Sequence, residues 1–131
     1  MEIGRILDRL LDSVILIDHL NGISQATEYL RTLTPEKTAI SVITRAEILV
    51  GVEIETAETV KQLLDQYALL SISGIIADKA AELRRVHGWK LPDAFQAALA
   101  LHHNIKLITR NTKDFDPGKH IFVEVPYKLN P

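Results

Sequence analysis

The sequence predicts an α/β protein with a central parallel sheet of about five strands flanked by helices, in one compact domain over residues 1–131. Short β-branched runs alternate with longer stretches whose apolar residues recur at spacings of three and four. A chain of 131 residues and 14.7 kDa has room for one core. No internal repeat, low-complexity tract or Gly/Ser/Pro-rich linker interrupts it.

Taken in order, the first strand is expected at Leu10 to Asp12. Ile6, Leu7, Leu10, Leu11, Val14 and Ile15 also fit a helical stripe, which leaves its extent open. A helix follows from near Val14, with Asp18 on it as a solvated charge. The second strand covers Ala39 to Ile43, and beyond it Thr44 and Glu47 have the spacing of a capping box. Val60, Leu63, Leu64 and Tyr67 form one helical stripe, and Leu69 to Ile72 the third strand. Ile76, Ala80, Leu83 and Val86 form another stripe, stopped by Gly88. Pro92 suits a first helical position, and Ala94, Ala97, Ala98 and Leu101 then run down one face until Asn104. Strands at Ile105 to Thr109 and Ile121 to Val125 complete the order strand, helix, helix, strand, helix, helix, strand, helix, helix, strand, strand.

With 47% apolar and 24% charged residues and a mean hydropathy of +0.07, global disorder is excluded. The absence of cysteine excludes disulfides, thiolate metal sites and a cysteine nucleophile, and agrees with a reducing, cytoplasmic setting. The N-terminal stretch has no signal-peptide apolar core, and no window approaches about 18 uninterrupted apolar residues, so no membrane association is expected. The net charge of −2 is unevenly spread. Residues 1–78 carry 6 Lys+Arg against 12 Asp+Glu, residues 79–131 carry 9 against 5, so a basic surface can stand beside an acidic pocket.

In an open parallel sheet, ligands bind outside the carboxyl ends of the strands. Asp12 follows the apolar pair Leu10-Leu11, Glu47 lies one helical turn past the second strand, Asp93 opens the helix after Pro92, and Asn111 follows the fourth strand with Asp114 and Asp116 in the same loop. Carboxylates gathered on one edge raise each other's pKa unless a cation neutralises them, and hard oxygen ligands select Mg²⁺ or Mn²⁺. Such an ion acidifies a water and neutralises phosphate oxygens, which suits phosphoester hydrolysis. Each acid also has a simpler explanation: Asp12 as a helix cap, Glu47 in the capping box, Asp93 beside a helix dipole. Arg45, Lys90, Arg110 and Lys113 flank this edge as candidates for phosphate contacts, with surface solvation the alternative. The pair His102-His103 is explained by its place at a helix end, and Trp89 reads as a partial core anchor, with a base-stacking platform the alternative. Glycine-rich phosphate loops, nucleophile elbows and paired-histidine zinc motifs are absent.

The strings LLDSVILIDHLNG, SVITRAEILVG and LPDAFQAALALHHNIKLITRNTKDF, in that order, resemble a PIN-domain ribonuclease of the VapC toxin type over nearly the whole chain. Asp12, Glu47 and Asp93 fall on the family's first three acidic positions, and Ser13 on the Ser or Thr after the first. Asn111 stands where a fourth acid often does, with Asp114 available from the same loop. The resemblance implies Mg²⁺- or Mn²⁺-dependent RNA cleavage by catalytic Asp12, Glu47, Asp93 and Asn111. It implies metal ligation by Asp12, Glu47, Asp93 and Asp114, and RNA contacts by Ser13, Arg110 and Lys113. A homodimer and an antitoxin partner that blocks the acidic site are implied too. The rival readings are a noncatalytic PIN-like module that binds RNA or protein, and a phospho-accepting receiver-like domain.

Overall fold

The computed structural model describes residues 6–129. Five strands, β1 (Arg9–Leu11), β2 (Thr38–Ser41), β3 (Ala68–Leu70), β4 (Lys106–Ile108) and β5 (Val123–Glu124), pair in the spatial order β3-β2-β1-β4-β5, every neighbouring pair parallel. Parallel neighbours cannot be joined by hairpins, so helices carry the chain back between the first four strands, and a loop of turns over residues 109–122 does so between β4 and β5. The helices are α1 (Ser13–Leu20) and α2 (Ser24–Arg31), α3 (Val42–Gly51) and α4 (Ile54–Leu64), then α5 (Gly74–His87) and α6 (Leu91–His103). A single 3₁₀ turn, Pro35–Lys37, leads into β2. The expected order of strands and helices is the order found.

Strand alternation divides the core. Leu10, Ala39 and Leu107 face α5 and α6, where they meet Ala80, Leu83, Ala94, Ala97 and Ala98. Their neighbours Leu11, Ile40 and Ile108 face the other way, onto Ile15, Leu16, Ile48, Val60 and Leu64. Because Leu10 and Leu11 are both fully buried on opposite faces, the first segment is a strand. The helical stripe through Ile6 fails, since Ile6 is 79% exposed.

The first strand is displaced by one residue and the other four are shorter than expected, and caps account for the ends beside the acidic edge. Asp12 caps α1, its Oδ1 accepting from the Ser13 N–H at 2.8 Å, so β1 stops at Leu11. Ser41 caps α3, its Oγ accepting from the Thr44 N–H at 3.0 Å, which takes Val42 and Ile43 into the helix. The capping box of Thr44 and Glu47 is therefore not formed, and Glu47 lies beyond the helix's first turn. Pro92 sits second in α6, after Leu91. Gly88 and Asn104 end α5 and α6 with left-handed φ of 73° and 55°.

Strand order reverses at β1, which has β2 on one side and β4 on the other. That junction is the topological switch point, where the diverging loops open a crevice at the strands' carboxyl ends. Asp12 leaves β1 there, and its N–H bonds the Ile108 carbonyl of β4 at 2.9 Å.

Candidate active site

Asp12 is buried and accepts only neutral donors. Besides the Ser13 N–H, Oδ1 receives the Gln96 Nε2 at 3.4 Å, and Oδ2 receives the Thr109 hydroxyl at 2.7 Å. Burial pushes its carboxyl above the usual aspartate range, and these hydrogen bonds only partly oppose that. Gln96 Nε2 also donates to Thr44 Oγ1 at 2.8 Å, so one amide ties α6 to β1 and α3, while its own Oε1 is buried without a hydrogen-bond partner. Thr109 Oγ1 further accepts the Asn111 N–H at 3.0 Å, which fixes the loop after β4 against Asp12.

The other acids gather around this residue. Glu47, at the exposed rim of α3, is pushed up by partial burial and by the Asp12 charge, against hydrogen bonding from Ser13. Asp93, in the first turn of α6, is raised to about 6 by burial and then by the charges of Asp12, Asp114 and Glu47, with Lys90 opposing. Four carboxyls from four separated stretches of chain thus share one electrostatic neighbourhood. Asn111 lies in the loop after β4 beside Asp114. Its Nδ2 donates to Asp114 Oδ2 at 3.1 Å and holds that carboxylate towards the group.

Among the described residues no three acidic or imidazole groups already stand in a closed metal-ligating arrangement. The carboxyls interact as nearby charges rather than as preformed ligands. Their chemistry still fits a hard cation: the donors are all oxygens, they repel one another, the buried Gln96 Oε1 is unpaired, and Lys90 alone opposes the Asp93 shift.

The basic candidates separate. Lys113 and Lys90 are exposed beside the acids. Arg45 is instead drawn to Asp65, with 2.9 Å between Nη1 and Oδ1. Arg110 gives a bidentate grip to Asp18, Nε to Oδ2 at 2.6 Å and Nη2 to Oδ1 at 2.8 Å, and the Tyr127 hydroxyl adds a third donor at 2.8 Å. Asp18 is consequently buried at 4% exposure rather than solvated as expected. The hydrogen bonds from Arg110 hold its carboxyl below the usual range. Sequence reasoning missed this triad as it missed Gln96 and Thr109. A polar residue inside an alanine-rich helix stripe and a threonine closing an apolar strand were the available signals. Trp89 is a buried anchor as expected, its Nε1 donating to the Asp114 carbonyl at 3.0 Å.

Fold and site together define a class: a parallel α/β domain with an acidic crevice at the switch point of its sheet. The PIN domain family model matches residues 9–117, and the chain belongs to that family. Among solved structures, a toxin–antitoxin complex from Klebsiella pneumoniae contains a chain 36% identical, with a TM-score of 0.86 over 93% of this chain and all of that one. FitAcB from Neisseria gonorrhoeae (22% identity, TM-score 0.76, 92% and 99% coverage) shares the fold. So does DNA-bound VapBC from Salmonella typhimurium (19%, 0.75, 90% and 97%). No curated protein sequence matches. Among the described residues no helix is long and apolar enough to cross a membrane.

Proposed function

We propose that this chain is the toxin of a toxin–antitoxin pair and acts as a Mg²⁺- or Mn²⁺-dependent endoribonuclease. The observation that carries the reading is the gathering of Asp12, Glu47, Asp93 and Asp114, from four separated stretches of chain, at the switch point of the sheet. Asp12, Glu47, Asp93 and Asp114 would hold one or two ions. A bound ion would neutralise the phosphodiester and supply water acidic enough to attack at neutral pH. The chain's own part is placement. Gln96, Thr109 and the start of α1 lock the Asp12 carboxylate, Asn111 orients Asp114, and Ser13 sits between Asp12 and Glu47. Exposed Lys90 and Lys113 would take phosphates beside the crevice. Hydrolysis by water needs no 2′-hydroxyl, so the expected ends are 5′-phosphate and 3′-hydroxyl.

The 36% identity to a chain of a toxin–antitoxin complex supports an antitoxin partner for this protein. Exposed apolar side chains such as Ile54, Ile75 and Val86 offer surface for self-association into a homodimer, which light scattering would test. The decisive experiment is RNA cleavage by the purified chain. Activity restored by Mg²⁺ or Mn²⁺ after chelation and abolished in Asp93→Asn supports the reading, and ion-independent or absent cleavage contradicts it.

A further inference from the structure

Beyond Asp114 the crevice runs into a groove of about 490 Å³, inside the usual range of roughly 300–1,000 Å³ for sites that take small ligands. Its floor is aromatic. The exposed His87 ring stacks on buried Trp89 with centroids 4.2 Å apart and planes 16° from parallel. His120 meets both edge-on at 5.2 Å. Burial, with the His87 charge adding, lowers the His120 pKa. Two exposed lysines, Lys113 and Lys119, line the same groove. Asp116 is turned into its own loop, its Oδ1 accepting the Gly118 N–H at 2.8 Å.

We propose that this groove is a nucleotide subsite for single-stranded RNA, with a base stacked on the His87–Trp89 shelf and neighbouring phosphates held by Lys113 and Lys119. The inference rests on the ribonuclease reading and names where its substrate extends past the acids. Alternating aromatic and cationic groups match the alternation of bases and phosphates along a single strand. An acidic peptide could use the lysines but has no use for the stacked rings. The shelf is rigid because Trp89 is pinned at both ends, its Nε1 on the Asp114 carbonyl and its own carbonyl on Arg84 Nη1 at 2.6 Å. Since Asp114 borders both sites, a base seated here would set which phosphodiester reaches the acids.

The test is binding of a short single-stranded RNA to the full chain in chelator, beside an abasic ribose-phosphate oligomer of equal length. Wild type should prefer the RNA, and His87→Ala should bind it about fivefold or more weakly, at the low end of base–aromatic stacking. His87→Ala should also lose the preference over the abasic strand, and His87→Phe should restore it. Lys113→Ala and Lys119→Ala should each make the slope of log K against log salt shallower by roughly 0.7. Unchanged melting temperatures keep a folding defect apart from these effects. Equal affinity of wild type for RNA and abasic strand, or equal competition by poly-glutamate, would overturn the subsite. So would RNA cleavage by wild type without detectable binding dependence on His87. Each of these leaves the nuclease reading standing, whereas absence of any ion-dependent cleavage removes that reading and the subsite together.

Discussion

Two aspartates six residues apart, Asp12 capping α1 and Asp18 in its last turn, are both buried, at 7% and 4% exposure. Their surroundings drive them in opposite directions. Asp18 meets a guanidinium fork and a phenol, and its carboxyl is held below the usual range. Asp12 is pushed up by its burial, which the hydrogen bonds from a backbone N–H, an amide and a hydroxyl do not offset. Burial alone therefore does not mark function. A buried acid with its cation built in ties elements together, here α1 to the loop after β4 and to Tyr127. A buried acid supplied only with neutral donors is left in need of a charge from outside.

Activity should separate the two aspartates most strongly. Asp12→Asn and Asp93→Asn should each lower RNA cleavage by about 10²-fold or more, because each removes charge that retains the ion. Asp18→Asn, assayed at a temperature where it remains folded, should lower it far less. Comparable losses at positions 12 and 18 would erase the distinction. Stability should rank the other way. Arg110→Ala leaves Asp18 buried and unpaired, and should cost about 3 kcal/mol in urea unfolding, the low end for such a truncation because the guanidinium is one-third exposed. Asp12→Asn without divalent ions should cost much less, since it relieves repulsion while losing acceptor capacity.

The pH dependence of stability sharpens the same contrast. Asp93 has a folded pKa of about 6 against an unfolded value of roughly 3.9, so between these values the folded state binds more protons. Its contribution is a penalty, fully present above pH 6, that fades as pH falls towards 4. Subtracting the Asp93→Asn melting curve from that of wild type isolates it from the histidines, and wild type should gain relative to the variant from pH 7 to pH 5. Asp18 has the opposite sign. Its lowered pKa stabilises the fold above about pH 4 and is lost below that, as pH falls through the folded value. A wild-type minus Asp18→Asn difference that stays flat below pH 4 would contradict the ion pair.

Much of this was legible in the sequence, for identifiable reasons. Element order followed from apolar spacing, and Asp12, Glu47 and Asp93 stood out because each lies just past a strand end or at a helix start. What the sequence hid was long-range pairing. Arg110 and Asp18 are 92 residues apart, and an aspartate in a helix with a histidine beside it reads as a surface charge until its partner is placed. Gln96 was hidden in the same way, its partners Asp12 and Thr44 lying 84 and 52 residues off. Strand ends were misjudged by a residue or two where Asp12 and Ser41 spend their side chains on caps, and β-branched Val42 and Ile43 looked like strand.

We infer that Asp12 and its neighbours form an unneutralised acidic site that a divalent ion completes, while Asp18 is already complete. Thermal melts of wild type, Asp12→Asn and Asp18→Asn, each with chelator and with saturating Mg²⁺, test it without any substrate. Mg²⁺ should stabilise wild type by mass action, about 2.7 kcal/mol at a concentration one hundred times Kd. It should stabilise Asp18→Asn by a similar increment from a lower starting point, and Asp12→Asn by much less. Equal Mg²⁺ shifts in wild type and Asp12→Asn would mean that Asp12 holds no ion.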